Sequence, residues 1–233
     1  DVAPSRGLGD VYKRQDSMKT KPKSNRGARQ KTSTPKNVTR MNYNENPYGM
    51  SDAVKKAVTD ASLNSYMYQD FYAVDLKKQL ADLYGLTVDH VCIGAGSSAI
   101  IDMLGEVFIN YGDEVVYCAP TYEAFPDMVS DNGGVRVVLP LTDDYCYDLD
   151  AMLAAITDKT KMVIVCNPNN PTSSCITSTD MRRILDACKE YDIYVMVDET
   201  YVEFAENMEE IDSVPLTNYY NNIVILRGTS KFF

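Results

Sequence analysis

The chain has 233 residues, room for one large domain or two small ones, and 45% of them are hydrophobic, as in soluble globular proteins. No apolar run approaches the roughly 18–20 residues of a bilayer span and the basic N-terminus lacks a signal-type apolar core, so a cytoplasmic protein with no membrane partner is expected. The net charge of −10 combines 11 Lys and Arg against 3 acidic residues in positions 1–40 with 12 against 30 in the remainder, and so acidic a body excludes nucleic acid as a partner.

The six cysteines include no C-x-x-C pair, and His90 is the single histidine. Neither pattern supplies the clustered ligands of a zinc site, so no metal is expected. Most of the cysteines lie in apolar runs and read as small buried hydrophobes. Scattered free thiols fit a reducing compartment.

The first forty residues stand apart. Residues 1–15 (DVAPSRGLGDVYKRQ) contain a string similar to translated sequencing-adapter sequence, which marks them as a non-native segment with Met18 as a candidate start. Residues 16–40 are rich in Lys, Arg, Ser, Thr and Pro and poor in apolar side chains. Such a segment buries too little surface to offset its ordering entropy, so a disordered basic arm is expected, with a nucleic-acid tail as the alternative.

From residue 41 the pattern changes. Leu76, Leu80 and Leu83 share a helical face that ends at Gly85, and the apolar run Val91–Ile93 reads as the first strand. A second helical face carries Ile100, Ile101, Leu104 and Phe108. Strands follow at Glu114–Cys118, Val135–Leu139 and Met162–Cys166. Met181, Ile184, Leu185 and Cys188 form a third helical face, with Ser178 and Thr179 as capping candidates. Strands at Tyr194–Val197 and Ile223–Leu226 complete the series. These strands are continuously apolar rather than alternating, as expected when both faces are buried. Strands alternating with helices predict an α/β sheet covered on both sides.

In open α/β sheets ligands sit beyond the carboxyl ends of the strands, so the residues there carry the chemistry. Gly94–Ile100 (GAGSSAI) formally fits a dinucleotide-binding turn, but no acidic residue closes the next strand to hold a ribose. What remains is a helix N-terminus whose amides at Gly96, Ser97 and Ser98 suit a phosphate, or else a plain capped turn. In NPNNPT (Asn167–Thr172) two prolines stop the strand and the asparagines supply amide donors, or serve only the turn. Asp198 closes an apolar run and reads either as a surface acid after a strand or as a buried carboxylate that needs a partner such as a protonated ring nitrogen; Tyr201 follows three residues on and offers a phenol to the same ligand. Lys231 follows the last strand, where a lowered pKa would make it nucleophilic, although a lone lysine is usually a solvated one.

Taken together, NENPYG (Asn44–Gly49), YQDF (Tyr68–Phe71), GAGSSAI, PTYEAF (Pro120–Phe125), NPNNPT, VDETYVEF (Val197–Phe204) and TSKFF (Thr229–Phe233) resemble the fold-type I pyridoxal-phosphate enzymes of aminotransferase class I/II, nearest the histidinol-phosphate aminotransferase branch. The resemblance covers about residues 41–233. It implies a three-layer α/β/α large domain with a mostly parallel sheet and pyridoxal 5'-phosphate as cofactor. Lys231 would carry the cofactor as a Schiff base and move the proton. Asp198 would pair with the pyridine nitrogen, Asn170 and Tyr201 would bond the 3' oxygen, and Tyr122 would stack on the ring. Gly96, Ser97, Ser98 and Ser230 would hold the phosphate. Tyr68 would reach the phosphate of a neighbouring subunit, which implies a homodimer, and Tyr48 would lie near the substrate entrance.

Two positions depart from the family pattern: Gly228 stands where a Thr or Ser is common, and Ser173 replaces the glycine after NPT. The sequence also ends shortly after Lys231, before the family's downstream arginines, its small C-terminal domain and a late strand that would pair with Val91–Ile93. Residues 41–233 are therefore expected to be an N-terminal arm and an incomplete large domain that folds poorly and is inactive by itself. The function implied is amino transfer between an amino acid, histidinol-phosphate-like or aromatic, and a 2-oxo acid. The alternatives are a pyridoxal-phosphate decarboxylase of a phosphorylated amino acid and, in another class, a nucleotide-binding Rossmann-type module.

Overall fold

The computed structural model describes residue 39 and residues 41–231, so the adapter-like segment 1–15 and nearly all of the basic arm 16–40 lie outside the described residues. Helix α1 spans Asp52–Ser62, α2 Val74–Tyr84 and α3 Gly96–Phe108. Strand β1 is Glu114–Ala119, followed by α4 (Ala124–Asp131), β2 (Val135–Pro140) and α5 (Leu149–Ala154). Then come β3 (Thr160–Cys166), α6 (Ser178–Lys189), β4 (Tyr194–Asp198), the short α7 (Met208–Ile211) and β5 (Ile223–Leu226).

The strands form one parallel sheet in the order β2-β1-β3-β4-β5. Their side chains alternate between two cores. Val116, Val163, Val165, Val195 and Val197 pack with Met181, Ile184 and Leu185 of α6 on one face. Val115, Tyr117, Met162, Ile164 and Met196 pack with Ile101 and Leu104 of α3 and with Phe125 and Met128 of α4 on the other. Both faces of the central strands are therefore covered, which is why they read as unbroken apolar runs. Each fully buried side chain of this size contributes about 1.5–3 kcal/mol. The same alternation puts Cys166 and Asp198 at the strand ends, on the α3 side of the sheet.

Four expectations change. Val91–Ile93 is not a strand: it follows a 3-10 turn at Val88–His90, and no described strand lies beside it to accept a ladder. The cap of α6 is Thr177, whose hydroxyl oxygen accepts from the Asp180 N–H at 3.2 Å, while Ser178 lies within the helix and donates to the Glu210 carbonyl at 2.8 Å. Helix α2 forms and stops at Gly85 in the left-handed region (φ +66), yet Leu76 and Leu83 are exposed and Ala81 is its buried residue. Spacing defined its apolar face but not what covers it. Cys118, Cys166 and Cys188 are buried as expected, whereas Cys92, Cys146 and Cys175 are exposed. Among the described residues no helix is long and apolar enough to cross a membrane.

Candidate active site

The loops leaving the carboxyl ends of β1, β3, β4 and β5 meet the start of α3 around a cleft of about 660 Å³. Its walls include Ser97, Tyr122, Asn170, Asp198, Tyr201 and Lys231, six of the residues singled out from sequence. A second cleft of about 1120 Å³ shares Asn44, Asn170, Pro171, Tyr201 and Lys231 and adds Tyr48, Phe204 and Glu206. Gly96, Ser98, Ser230 and Tyr68 line neither cleft. Tyr68 is 93% exposed and sits beside Phe71, with ring centroids 6.0 Å apart.

Asp198 is the buried charge of the site, 3% exposed at the end of β4. Its Oδ1 accepts from the Thr200 hydroxyl at 2.6 Å and the Thr200 N–H at 3.0 Å. Burial pushes its pKa above the ordinary carboxylate value, and the two Thr200 bonds oppose that rise.

The three asparagines after β3 divide their work. Asn167 bridges to Ile176 in both directions, its Nδ2 donating at 3.1 Å and its Oδ1 accepting at 3.0 Å. Asn169 Nδ2 donates to the Pro120 carbonyl at 3.0 Å and its Oδ1 accepts from Thr121 at 2.9 Å. Both are structural braces, and Asn170 is the one that lines the cleft. Buried Tyr147 seals the end of β3, donating to the Cys166 carbonyl at 2.7 Å and accepting from the Cys166 N–H at 3.1 Å.

Tyr122 lies edge-on to Phe125 at 5.6 Å and 89°, and its hydroxyl is 3.5 Å from Ser98 Oγ. Helix α3 opens with Gly96 at φ +80, and Ala95 offers no side-chain cap. The Gly96 N–H turns back to the Gly94 carbonyl at 2.9 Å, so it is not the free donor expected from sequence. The Ser97 and Ser98 amides belong to the first helical turn and have no intrahelical acceptor.

Sequence reasoning missed several neighbours. Lys231 Nζ donates to the Tyr43 carbonyl at 2.7 Å, and Asn44 Nδ2 donates to the Tyr201 hydroxyl at 3.0 Å. Asn44 stands in the NENPYG motif, which was the available signal. Nothing in the spacing announced Thr200. Behind the site Arg227 donates to Glu199 Oε2 through Nε at 3.0 Å and Nη2 at 2.6 Å, and to Asp212 Oδ1 at 2.6 Å. This pairing ties the end of β4 to the end of β5, so Asp198 and Lys231 emerge from braced strands.

Residues 36–233 match the family described as aminotransferase class I and II. The chain belongs to that family. An aromatic amino acid aminotransferase of Rhodococcus jostii is 39% identical over 82% of this chain and 52% of its own length. The chain spans about half the length of the curated relatives it matches. Among solved structures, the histidinol-phosphate aminotransferase of Sinorhizobium meliloti, determined with pyridoxal-5'-phosphate, is 26% identical with a TM-score of 0.72. It aligns over 81% of this chain and 51% of that one. A histidinol-phosphate aminotransferase assignment from Erwinia carotovora gives 26% identity and a TM-score of 0.76 over 81% and 55% of the two chains. The Rossmann-type alternative gives way to the α/β fold of the aminotransferases.

Proposed function

We propose that this chain carries the cofactor-binding face of a pyridoxal-phosphate-dependent aminotransferase, acting between an amino acid and a 2-oxo acid. The observation that carries the reading is the pairing of buried Asp198 and Lys231 on the walls of one cleft. The residues fit the group. A cleft of about 660 Å³ lies in the range of small-ligand sites. A buried carboxylate in its wall needs a cationic partner, and Oδ2 of Asp198 has none among the described residues.

Each residue then has a task. Asp198 holds a protonated ring nitrogen, and Asn170 and Tyr201 hold the ring oxygen. Tyr122 supplies a flat apolar face. Ser97 lines the cleft at the start of α3, where with Ser98 and Ser230 it would bind the phosphate, aided by the helix dipole. Lys231 Nζ would hold the cofactor's aldehyde carbon as a Schiff base, with loss of water, and its amine is the group placed to move a proton at the substrate's α-carbon. When bound, the cofactor supplies an electron sink for the pair left on that carbon. Tyr68 would reach the phosphate of a neighbouring subunit in a homodimer, a role its exposure supports.

The domain reading goes with this: residues 41–233 as an N-terminal arm and part of the large domain. Relatives named for aromatic amino acids support an aromatic donor over a histidinol-phosphate-like one. Tyr48, Tyr201 and Phe204 in the wider cleft suit such a ring. The test is to mix the full chain with pyridoxal phosphate, reduce with borohydride and map the modified peptide. A cofactor mass on Lys231 is expected, and reduction elsewhere or nowhere defeats the reading. Assaying amino transfer beside carbon dioxide release separates transamination from decarboxylation.

A further inference from the structure

Thr200 places two donors on a single oxygen of Asp198, its hydroxyl at 2.6 Å and its N–H at 3.0 Å from Oδ1. Both residues are buried, Thr200 at 8% and Asp198 at 3% exposure. Oδ2 accepts no hydrogen bond among the described residues, while Asp198 forms part of the cleft wall. We propose that Thr200 is a positioning residue, which turns the Asp198 carboxylate so that Oδ2 faces the cleft as an ionised acceptor for a protonated ring nitrogen. This inference rests on the pyridoxal-phosphate reading of the site.

The torsion that orients a carboxylate is broad and roughly two-fold, so without a brace either oxygen could face the cleft. A hydroxyl and an amide bonding the same oxygen define the plane. They also favour the ionised form, because each bond is stronger to a charged carboxylate oxygen than to the carbonyl oxygen of a neutral acid. Were Asp198 protonated, the proton would sit on Oδ2 and confront the ring N–H donor to donor. Burial pushes Asp198 toward that state, and Thr200 pulls against it.

The other titratable groups facing Asp198 do not take over the task. The Cys166 thiol on β3 is pushed up to about 12 by burial, and burial also raises the Tyr147 phenol. Both are neutral near pH 7. Tyr122, Tyr201 and Lys231 line the same cleft, and none of them bonds Asp198.

The test compares Thr200→Val, which keeps the shape and loses the hydroxyl, with Thr200→Ser, which keeps the hydroxyl and loses the methyl. Each full chain is titrated with pyridoxal phosphate, and cofactor retention is followed as pH is lowered. Thr200→Val is expected to bind about tenfold more weakly, the usual scale for losing a hydrogen bond to a charged group. It should also release the cofactor at a higher pH than the wild type, because Asp198 then takes up its proton earlier. Thr200→Ser should restore both values. Thr200→Ala carries the same expectation as Val and decides the matter if the Val chain does not fold. A packing role would make Ser the damaged variant and leave the release pH of Val unmoved, and that result overturns the proposal. Equal affinity and release pH in all the variants, with wild-type binding intact, overturns the role of Thr200 alone. A wild-type chain that takes up no pyridoxal phosphate overturns the site reading with it.

Discussion

Lys231 Nζ and the backbone carbonyl oxygen of Tyr43 lie 2.7 Å apart across 188 positions of sequence. The next residue, Asn44, donates to the Tyr201 hydroxyl at 3.0 Å, so the segment through residues 43 and 44 is fastened to the site at two points. The bond to the Tyr43 carbonyl restrains how far the Lys231 amine can swing toward a ligand's carbon. Asn44→Ala removes the exposed fastening, a bond worth about 0.5–1.5 kcal/mol. Lys231 is then expected to react with pyridoxal phosphate about two- to tenfold faster, as timed borohydride trapping would measure. An unchanged or slower trapping rate would show that the segment does not restrain the lysine.

Asp198→Asn should separate stability from binding. Burial raises the pKa of Asp198 above the ordinary 3.8, opposed by the Thr200 bonds. The folded chain therefore binds more protons than the unfolded one between 3.8 and the raised value, and stability falls as pH climbs through that window. Asparagine keeps an Oδ1 acceptor for Thr200 and carries no charge. In the absence of cofactor the variant is expected to melt higher than the wild type at pH 7, with the difference shrinking as pH drops toward 3.8. A gain on the order of 1 kcal/mol would appear as about 2–4 °C. Cofactor binding should be lost, because an amide N–H would face the ring N–H. A variant that melts lower at pH 7 and higher in acid would reverse the sign of the argument.

The sheet was legible because buried parallel strands leave continuous apolar runs, and the site because ligands gather where those strands end. Val91–Ile93 shows the limit of that logic. Its apolarity records a wish for burial, whereas a strand also needs a neighbour, and no neighbour is written in a local run. Leu76 and Leu83 fail in the same way on α2. At the site, strand ends pointed to the segments that hold Asp198, Asn170 and Lys231, and the family resemblance singled those residues out within them. The donors that orient Asp198 and the partner of Glu199, 28 positions away, depend on side-chain direction and tertiary register. Composition and spacing carry neither.

The cysteines should divide by exposure rather than by sequence context. Burial pushes the thiol of Cys118 up to about 11 and those of Cys166 and Cys188 to about 12. At pH 8 a thiol of pKa near 11 is about one part in a thousand thiolate, the reactive form. Native-state labelling with a thiol reagent followed by peptide mapping should modify the exposed Cys92 and Cys146 first. Cys175 should lag behind them, since burial raises its pKa as well. Early labelling of Cys188 would place α6 less firmly on the sheet than its packing implies.

The Glu199–Arg227 pair should behave as a brace whose halves cannot be removed singly. Glu199 is fully buried, and its Oε1 accepts from the Ser213 N–H at 2.8 Å while Oε2 takes both Arg227 donors. Burial opposes charge on Arg227, but Glu199 and Asp212 hold it charged. Its guanidinium also lies over the Tyr84 ring, 5.0 Å from the centroid, so the brace reaches back to α2. Arg227→Met strands a buried carboxylate and is expected to cost about 3–5 kcal/mol. Replacing both partners together, as Glu199→Leu with Arg227→Met, removes the desolvated charge and should cost clearly less than the arginine change alone. Urea unfolding of the wild type, the two single variants and the double variant gives the coupling directly. If the double variant loses as much as the two singles added, the pair is independent of its partner's charge and does not tie β4 to β5.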